Sequence, residues 1–267
     1  MASDEYDVVA VRYGRLTTTR SDGFLNHHDY READGLLELA YDFWIVRNAE
    51  RTIVLDTGFA PEVGRRRGRE VLVEPAAAFA ALGVEDTEET LVVLSHAHYD
   101  HIGNVGHFRR ARFLMAAAEY DFWVERPRAQ HLTRQLVEDA ELEALRALRA
   151  AGRLELIEGA KVLGPGVEVL RAPGHTPGQL MLVAGSAVGR ILLTADAVHF
   201  DEELERRMPF RHMCDLVAAA DTYDSIDALR DSGAVDRVVV GHEPAYRERF
   251  PAHPRLAEHT LVLSAPV

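Results

Sequence analysis

Three histidines and one aspartate lie close together in the segment Leu94-Ser95-His96-Ala97-His98-Tyr99-Asp100-His101. Neutral imidazole and carboxylate are ligands that zinc, manganese and ferrous iron accept. Because these four groups stand at positions i, i+2, i+4 and i+5, they cannot all point away from one another. The apolar run 90–94 just before them is typical of a buried strand. The segment therefore predicts a metal-binding turn at a strand end, the alternative being a polar loop that is histidine-rich by chance.

Three further residues of the same chemical types follow later strand-like runs. His175 lies in the Pro/Gly-rich turn 171–178, Asp196 follows the run 191–194, and His242 follows the run 237–240. Alone, each has an ordinary structural explanation as a turn histidine, a helix N-cap or a core histidine. Together with residues 96–101 they supply five histidines and two aspartates. That set is large enough to ligate two metal ions.

The elements that would position these residues alternate between strand-like and helix-like segments. Apolar and β-branched runs predict strands at 8–11, 36–46, 52–55, 90–94, 112–115, 167–170, 180–183, 191–194 and 237–240. Helices are predicted at 75–82 and about 213–231, and a mostly helical block at about 117–151, interrupted near Pro127, is interpreted as a lid or insertion. No linker, repeat or low-complexity tract divides the sequence. We therefore predict one domain over residues 1–267, with sheets inside and helices outside.

Composition narrows the class of partner. The chain has 267 residues, of which 47% are hydrophobic and 27% charged, as in an ordinary globular protein. Its formal net charge of −13 argues against nucleic acid or an anionic membrane as partner, so we expect a small, neutral or amphiphilic substrate. Cys214 is the single cysteine, and no run approaches the roughly 18 apolar residues of a membrane span. We expect a cytoplasmic protein, and the oligomeric state, a homodimer included, stays open.

The spacing of these residues resembles that of the metallo-β-lactamase superfamily, whose mark is H-x-H-x-D-H followed by an isolated His, an Asp and another His at strand ends. The resemblance extends over about residues 36–244 and includes Asp56-Thr57-Gly58, which is similar to the early D-T-G element of the superfamily. It implies an α/β fold, the four-layer αβ/βα sandwich in which two central mixed sheets are flanked by helices. A dinuclear metal site would lie at the sheet edges.

The same resemblance implies a ligand set. The first metal would be held by His96, His98 and His175, and the second by Asp100, His101 and His242. Asp196 would bridge the two ions. Asp56 would fix the orientation of the ligands, unless it is a simple turn aspartate before glycine. We expect two divalent ions, zinc by preference, with manganese or ferrous iron also compatible with this ligand set.

A site of this kind implies hydrolysis. Two divalent ions share a water, lower its pKa and leave a Lewis-acidic position, so that the bridging hydroxide attacks an ester, lactone, lactam, thioester or phosphoester. Asp100 and Asp196 would accept the proton as the intermediate collapses. The chemistry needs no serine or cysteine nucleophile, and Cys214, which stands in a helix-like run, is interpreted as structural.

Within the superfamily, the chain most resembles the N-acyl homoserine lactonases and relatives that open other cyclic esters or amides. The likeness lies in chain length, the D-T-G element, the P-G-H-[ST]-x-G turn and the strand ending in aspartate followed by alanine. Those lactonases usually carry a tyrosine three residues after the bridging aspartate, where this chain has His199. His199 would serve as a hydrogen-bond donor or leaving-group acid, unless it is an ordinary surface histidine. Ile102-Gly103-Asn104 also departs from the paired glycines of that group.

Two alternatives remain open. A glyoxalase II-like thioesterase shares H-x-H-x-D-H and a late Gly241-His242-Glu243, but its usual G-D-T-L-F differs from the segment 195–199 here. Basic residues for the glutathione carboxylates are not evident in the sequence. The non-enzyme alternative is a degenerate metal-binding scaffold without turnover, although every ligand position is filled.

Residues outside the motif receive less specific predictions. An apolar substrate pocket is predicted from Phe122, Trp123, Phe200, Met208 and Phe210, with core packing as the alternative. Surface positions are predicted for His27, His28, His107, His131, His212, His253 and His259. The loop containing His27 and His28 would be near enough to approach the site. A solvated helix face is predicted for Glu203, Glu205, Arg206 and Arg207.

Overall fold

Two mixed β-sheets form the centre of the fold in the computed structural model, which describes residues 4–126 and 131–266. The strands within these residues are β1 (Asp7–Thr19), β2 (Leu36–Arg47), β3 (Thr52–Leu55), β4 (Glu70–Val71), β5 (Leu91–Val93), β6 (Arg112–Ala116), β7 (Leu154–Ile157), β8 (Lys161–Gly164), β9 (Val167–Arg171), β10 (Leu180–Ser186), β11 (Gly189–Leu193), β12 (Arg237–Val239) and β13 (Thr260–Val262).

The helices of the same residues lie between or after these strands. They are α1 (Arg20–Gly23), α2 (Pro61–Arg66), α3 (Pro75–Ala81), α4 (Tyr99–Ile102), α5 (Ala117–Tyr120), α6 (His131–Arg134), α7 (Asp139–Ala150), α8 (Asp201–Arg206), α9 (Leu216–Asp231) and α10 (Tyr246–Arg249). A π-helical turn covers Asp121–Glu125, and 3-10 turns cover His27–Tyr30, Val105–His107, Ala195–Ala197 and Pro254–His259. No helix in the described part of the chain is long and apolar enough to cross a membrane.

The first sheet has the order β13-β1-β2-β3-β5-β6-β7, with β4 paired to β1, and the second has the order β12-β11-β10-β9-β8. Strands β3, β5, β6 and β7 pair in parallel, as do β11 and β12, and the other pairs are antiparallel. Parallel neighbours end at the same edge of a sheet. Loops that follow β3, β5, β11 and β12 therefore emerge where a shared site can form.

The side-chain alternation of β3 shows why four layers form. Ile53 and Leu55 pack between the sheets, together with Leu182 and Leu193 of the second sheet. The intervening Val54 points to the other face, where Phe79 of α3 is part of the same cluster. Since successive strand residues face opposite sides, an apolar run such as Thr52–Leu55 must be covered on both faces. The buried side chains of helix α9 belong to the same cluster as the strands of the second sheet, in agreement with the predicted αβ/βα sandwich.

The predicted elements are present, with shifted ends. The helix predicted from about residue 213 begins at Leu216, because Asp215 caps it by accepting hydrogen bonds from the amides of Val217 and Ala218. Cys214 therefore precedes this helix, and the prediction that it stands within a helical run was wrong. The predicted interruption at Pro127 lies outside the described residues. The helical elements α5 to α7 occupy the predicted block 117–151.

Strands β4, β7, β8 and β13 were not predicted. Each has only two to four residues. Strands β4, β7 and β13 pair with strands that are distant in sequence, and β8 pairs with the adjacent β9. Strand β13, for example, pairs with β1 across the register Val9 to Val262. Pairing of this kind depends on tertiary context, so the sequence pattern of the strand alone does not reveal it.

Removal of a buried aromatic side chain tests this packing. Phe113 of β6 is fully buried, so we expect Phe113→Ala to lower the free energy of unfolding by about 3–5 kcal/mol. Val162 of β8 is 70% exposed, and Val162→Ala should change that free energy by no more than about 0.5 kcal/mol. Chemical denaturation of both variants checks the difference; equal losses would contradict the assigned core.

Candidate metal centre

Four strand ends bring the predicted ligands to one place. His96, His98, Asp100 and His101 follow β5, and His175, Asp196 and His242 follow β9, β11 and β12 respectively. All seven side chains are buried, with at most 8% of each residue exposed. The structure thus brings together every ligand position that the sequence predicted.

Two groups of potential ligand atoms match the two predicted metal positions. In the first group, ligand atoms of His96, His98 and His175 lie within 4.8 Å of one another, and Nδ1 of His98 is 2.9 Å from Nε2 of His175. The second group, whose atoms meet the same limit, consists of Asp100, His101, Asp196 and His242.

The carboxylate of Asp196 lies between the two groups. Its Oδ1 is 3.2 Å from Nε2 of His101, and its Oδ2 is 3.2 Å from Nε2 of His242. On the other side, Oδ2 is 3.5 Å from Nε2 of His175 and 3.8 Å from Nε2 of His96. This position suits a carboxylate that bridges two ions.

Hydrogen bonds through Nδ1 fix the orientation of three histidine rings. Nδ1 of His101 donates to Oδ2 of Asp56 at 2.7 Å, and Nδ1 of His242 donates to the carbonyl oxygen of Ala40 at 2.6 Å. Ser95 Oγ donates to Asp56 and so accepts from Nδ1 of His96 at 3.0 Å. In each case Nε2 faces the centre, as in metal sites where the second ring nitrogen is held by a protein oxygen.

Several buried polar atoms at this point have no hydrogen-bond partner among the described residues. They include Nε2 of His96, Nε2 of His101 and Oδ1 of Asp196. Burial of an unpaired polar atom costs on the order of 1–3 kcal/mol, so a cluster of them needs another partner. Divalent ions would supply that partner, and the donor set of imidazole nitrogens and carboxylate oxygens fits them.

Asp56 has more contacts than a turn aspartate requires. It is fully buried and adopts a positive φ of 66°, a conformation that is strained for residues other than glycine. Its carboxylate accepts two hydrogen bonds from Ser95, from the amide and the hydroxyl, each 2.7 Å long, besides the one from His101. These bonds offset the strain and connect the D-T-G element to the histidine-rich turn. They support the prediction that Asp56 orients ligands.

Asn104 also joins these two segments. Its side-chain amide donates to the carbonyl oxygens of Thr57, Gly58 and Phe59 at 2.9–3.1 Å. A Cβ on Gly103 would lie 2.3 Å from the amide nitrogen of Ala60, so the backbones approach too closely for a larger residue. Of the two positions where related lactonases have paired glycines, Gly103 is retained because no larger residue fits there. Asn104 replaces the other glycine, and its side chain holds the D-T-G loop.

Glu119 is a buried acid that the sequence analysis missed. It is fully buried and accepts hydrogen bonds from the amides of Ala97 and Gly178, both at 2.9 Å, and from Nε1 of Trp123 at 2.7 Å. Burial raises the pKa of Glu119, and hydrogen bonds from Thr176, Ala97, Gly178 and Trp123 oppose that shift. The carboxylate thereby ties the loop of His96 and His98 to the loop of His175. No sequence pattern distinguishes it from an ordinary helix-terminal acid.

The electrostatics differ between the two groups. Burial lowers the pKa of His96, His98 and His175 well below the usual 6.5, which keeps them neutral as metal binding requires. Burial also lowers the pKa of His101, but the neighbouring carboxylates, Asp196 first, raise that pKa by more than burial lowers it. The pKa of His101 is therefore well above the usual 6.5. The second group is therefore the more strongly anionic environment.

A cavity of about 250 Å³ opens above these groups. Its apolar wall is formed by Leu16, Leu39, Tyr41, Leu136 and Phe210, and its polar wall includes Thr18, Asp22, Arg69, Arg211 and His212. Arg69 donates to the hydroxyl of Tyr99 at 3.0 Å. Among the described residues, no carboxylate lies within 4.0 Å of its guanidinium. The cavity is thus amphiphilic, with a cationic group at one side.

Most of the predicted pocket residues lie elsewhere. Phe210 lines the cavity, but Phe200 and Met208 are buried in the core, and Trp123 packs against His98 with ring centroids 5.5 Å apart. Phe122 packs at the margin of the same core cluster. The prediction was wrong for these four residues because the core between helices and sheet offers them more apolar contact than the cavity.

The predictions for polar residues outside the motif divide in the same way. His28 and His107 are exposed as predicted, whereas His27 is buried and His212 lines the cavity, where burial lowers its pKa to about 4. Glu205, Arg206 and Arg207 are solvated, but Glu203 is fully buried, so its assignment to a solvated face was wrong. One face of the short helix α8 points to the core, and the acidic run conceals this.

Comparison with known proteins agrees with the geometry. A family model described as the metallo-beta-lactamase superfamily matches residues 38–242. The chain belongs to this superfamily.

Two relatives are similar in sequence. An N-acyl homoserine lactonase from a Bacillus species is 29% identical over 190 residues, which are 66% of this chain and 70% of that protein. A second N-acyl homoserine lactonase, from Bacillus cereus, is 30% identical over 130 residues, or 48% of this chain. The match covers 46% of that protein, about half its length.

Three solved structures share the fold. A quorum-quenching N-acyl homoserine lactone lactonase has a TM-score of 0.76 at 21% identity, covering 95% of this chain and 99% of that one. An N-acyl homoserine lactone hydrolase with the product N-hexanoyl-L-homoserine at its catalytic metal centre has a TM-score of 0.74 at 20% identity, covering 94% and 98%. The dizinc quorum-quenching lactonase AidC has a TM-score of 0.70 at 22% identity, covering 91% and 90%.

Replacement of Asp56 tests its effect on ligand orientation. Asparagine tolerates a positive φ, so Asp56→Asn should fold, but its amide cannot accept all three hydrogen bonds. We expect metal affinity to fall about 10- to 100-fold at the position that includes His101. Metal titration against a chelator, with exposed Glu205→Gln as the control, measures this. Unchanged affinity for both ions would show that Asp56 does not orient ligands.

Proposed function

We propose that this protein is a dinuclear metal-dependent hydrolase that opens a lactone or a related cyclic ester or amide, as N-acyl homoserine lactonases do. The observation that carries the proposal is the pair of ligand groups on either side of Asp196, both facing one cavity. A binding scaffold alone would not need two adjacent groups open to the same small cavity.

In this proposal His96, His98 and His175 hold one ion, Asp100, His101 and His242 hold the other, and Asp196 bridges them. Two divalent ions so placed would lower the pKa of a shared water and polarise a carbonyl oxygen. We propose zinc, which is the metal of the structurally similar AidC, with manganese or ferrous iron as the other metals that this donor set accepts.

The side chains of the chain itself would handle the protons. Asp100 and Asp196 both present carboxylate oxygens to the centre, and either would accept a proton as the tetrahedral intermediate collapses. Burial raises the pKa of Asp196, but its histidine neighbours, His101 first, lower that pKa by more, so the carboxylate is ionised and free to accept a proton. Both aspartates line the cavity.

The cavity supports an amphiphilic substrate. Its apolar wall would accommodate an acyl chain, while the groups below it face the ester. The relatives named as N-acyl homoserine lactonases, and the neighbour with N-hexanoyl-L-homoserine at its metal centre, support this choice of substrate class.

One observation keeps a second candidate, a glyoxalase II-like thioesterase. Arg69 and Arg211 line the cavity, so basic groups that the sequence did not reveal are available for an anionic substrate. Arg211 forms an ion pair with Asp22 in the same wall. Arg69 is therefore the better candidate to bind an anionic group of the substrate. A lactone with a polar acyl group would use the same residue.

We further propose that the chain is one domain over residues 1–267, that it acts in the cytoplasm, and that the block 117–151 covers the site as a lid. Leu136, which lies between α6 and α7 of this block, lines the cavity. The amide of Tyr99, in the histidine-rich turn, donates to the carbonyl oxygen of Leu136 at 2.9 Å. Movement of the block would therefore open the cavity and affect the turn that carries the ligands.

A substrate screen distinguishes the candidates. Metal-reconstituted protein should hydrolyse homoserine lactones of several chain lengths faster than S-lactoylglutathione, cyclic amides and phosphoesters. Preference for S-lactoylglutathione would favour the thioesterase. Protein that binds two ions but leaves the whole panel intact would favour the scaffold without turnover.

Ligand substitutions test the dinuclear mechanism. We expect His101→Ala and Asp196→Asn to abolish hydrolysis and reduce metal content, because each removes a donor from the second group, and Asp196 also faces the first. Metal analysis, circular dichroism and lactone hydrolysis are measured together, with exposed His107→Ala as the control. Full activity in either variant would contradict the mechanism.

A further inference from the structure

His199 is a buried histidine at the edge of the centre. It follows the 3-10 turn Ala195–Ala197 and none of its surface is exposed, which excludes an ordinary surface histidine. Its ring stacks on Phe210 with centroids 3.8 Å apart and an interplanar angle of 17°. The ring is therefore fixed on one side by an aromatic contact.

Glu203 fixes the ring a second time, through hydrogen bonds. Its Oε2 accepts from the amide of His199 at 2.5 Å and from Nδ1 of His199 at 3.1 Å. Its Oε1 accepts from the hydroxyl of Tyr223 at 2.6 Å and from the amide of Phe210 at 3.1 Å. Since the carboxylate is fully buried and held by four donors, it can neither rotate away nor be replaced by water.

The other ring nitrogen points to the metal centre. Nε2 of His199 is buried, has no hydrogen-bond partner among the described residues, and lies 3.5 Å from Oδ2 of Asp196. Together, His175, Asp196 and His199 form a third group whose potential ligand atoms lie within 4.8 Å of one another. This group shares His175 with the first predicted position and Asp196 with the second.

The arrangement repeats that of the predicted ligands His101 and His242. In all three, Nδ1 donates to a protein oxygen and Nε2 faces Asp196. A neutral ring that donates through Nδ1 presents the Nε2 lone pair to the centre, and a metal ion would bind that lone pair. Contact with a substrate carbonyl, the role expected from sequence, would instead require a proton on Nε2.

We propose that His199 is an additional metal ligand, positioned by Glu203, which with His175 and Asp196 holds an ion beside the two predicted positions or draws one of those ions toward itself. The proposal rests on the metal centre of the proposed function and adds a ligand to it. An ion on the His175 side of Asp196 would gain a nitrogen donor that the H-x-H-x-D-H motif does not provide.

Cobalt(II) substitution tests this without reference to turnover, because its visible absorption depends on the number and type of ligands. The full-length protein is loaded with Co²⁺, and His199→Phe is compared with wild type; phenylalanine keeps the stacking on Phe210. We expect a changed absorption spectrum and a loss of affinity for one ion of about 10- to 100-fold, with the other ion little affected. His199→Gln serves as a second substitution if the first does not fold.

Glu203→Gln and Glu205→Gln separate positioning from a general effect of neutralising an acid in α8. A glutamine has one accepting oxygen, so it cannot accept both from His199 and from the donors on the other side, Tyr223 and the amide of Phe210. Glu203→Gln should therefore shift the cobalt spectrum in the direction of His199→Phe. Glu205 is exposed in the same helix, so Glu205→Gln should retain the wild-type spectrum and affinity.

An unchanged spectrum and unchanged affinity in His199→Phe would overturn the proposal, whether or not hydrolysis is lost. Loss of hydrolysis alone would assign His199 to the substrate and leave the proposed hydrolase intact. By contrast, wild-type protein that binds metal and gives the expected cobalt difference, but hydrolyses no lactone, would sustain the ligand role while refuting the proposed substrate class.

Discussion

The carboxylate of Asp196 is the group on which the rest of the site depends. Ring nitrogens of five histidines, namely His96, His101, His175, His199 and His242, lie 3.2–3.8 Å from its oxygens. Burial alone would raise its pKa and favour the neutral acid, yet the histidines, His101 first, hold the pKa well below 3.8. The carboxylate is therefore ionised inside the protein, which is tolerable only while donors or cations lie in contact with it. The loops that bring those groups must be held firmly in place.

Three other buried carboxylates hold those loops. Asp56 binds the turn of His96 and His101, Glu119 joins that turn to the loop of His175, and Glu203 fixes His199 beside Asp196. Each is fully buried and accepts three or more hydrogen bonds, so its desolvation is offset by donors already in position. The ligand geometry thus does not depend on the loops being rigid in themselves. It depends on acids anchored at several strand ends and short helices.

The sequence predicted which histidines and aspartates the fold brings together, because the types and spacing of the proposed ligands are set by metal chemistry, which acts over a few residues. It also predicted the two-sheet sandwich, through the superfamily that these residues resemble and through runs such as 52–55 that are apolar on both faces. It could not predict Glu119 or Glu203, since each also has partners far along the chain, such as Gly178 for Glu119 and Tyr223 for Glu203, which approach only when the chain is folded. Glu203 stands within an acidic run, and its buried contacts with His199, Phe210 and Tyr223 separate it from its solvated neighbours. The cavity wall was missed for the same reason.

The wall and the ligands come from different parts of the fold, which has a consequence for specificity. Leu16 and Leu39 lie on β1 and β2, Arg69 precedes β4, and Leu136 belongs to the helical block, whereas the ligands follow strands at the sheet edge. Substitution of Leu16 or Leu39 would alter the preferred substrate without replacing any of the ion-binding groups. The net charge of −13 disfavours polyanionic partners at long range, but the field inside the cavity is set by Arg69 and the ion-binding groups. A small substrate with an apolar chain and a carbonyl or anionic head is compatible with both the negative net charge and the cationic Arg69. Such a substrate needs no attraction from the protein surface and contacts a positive side chain only within the cavity.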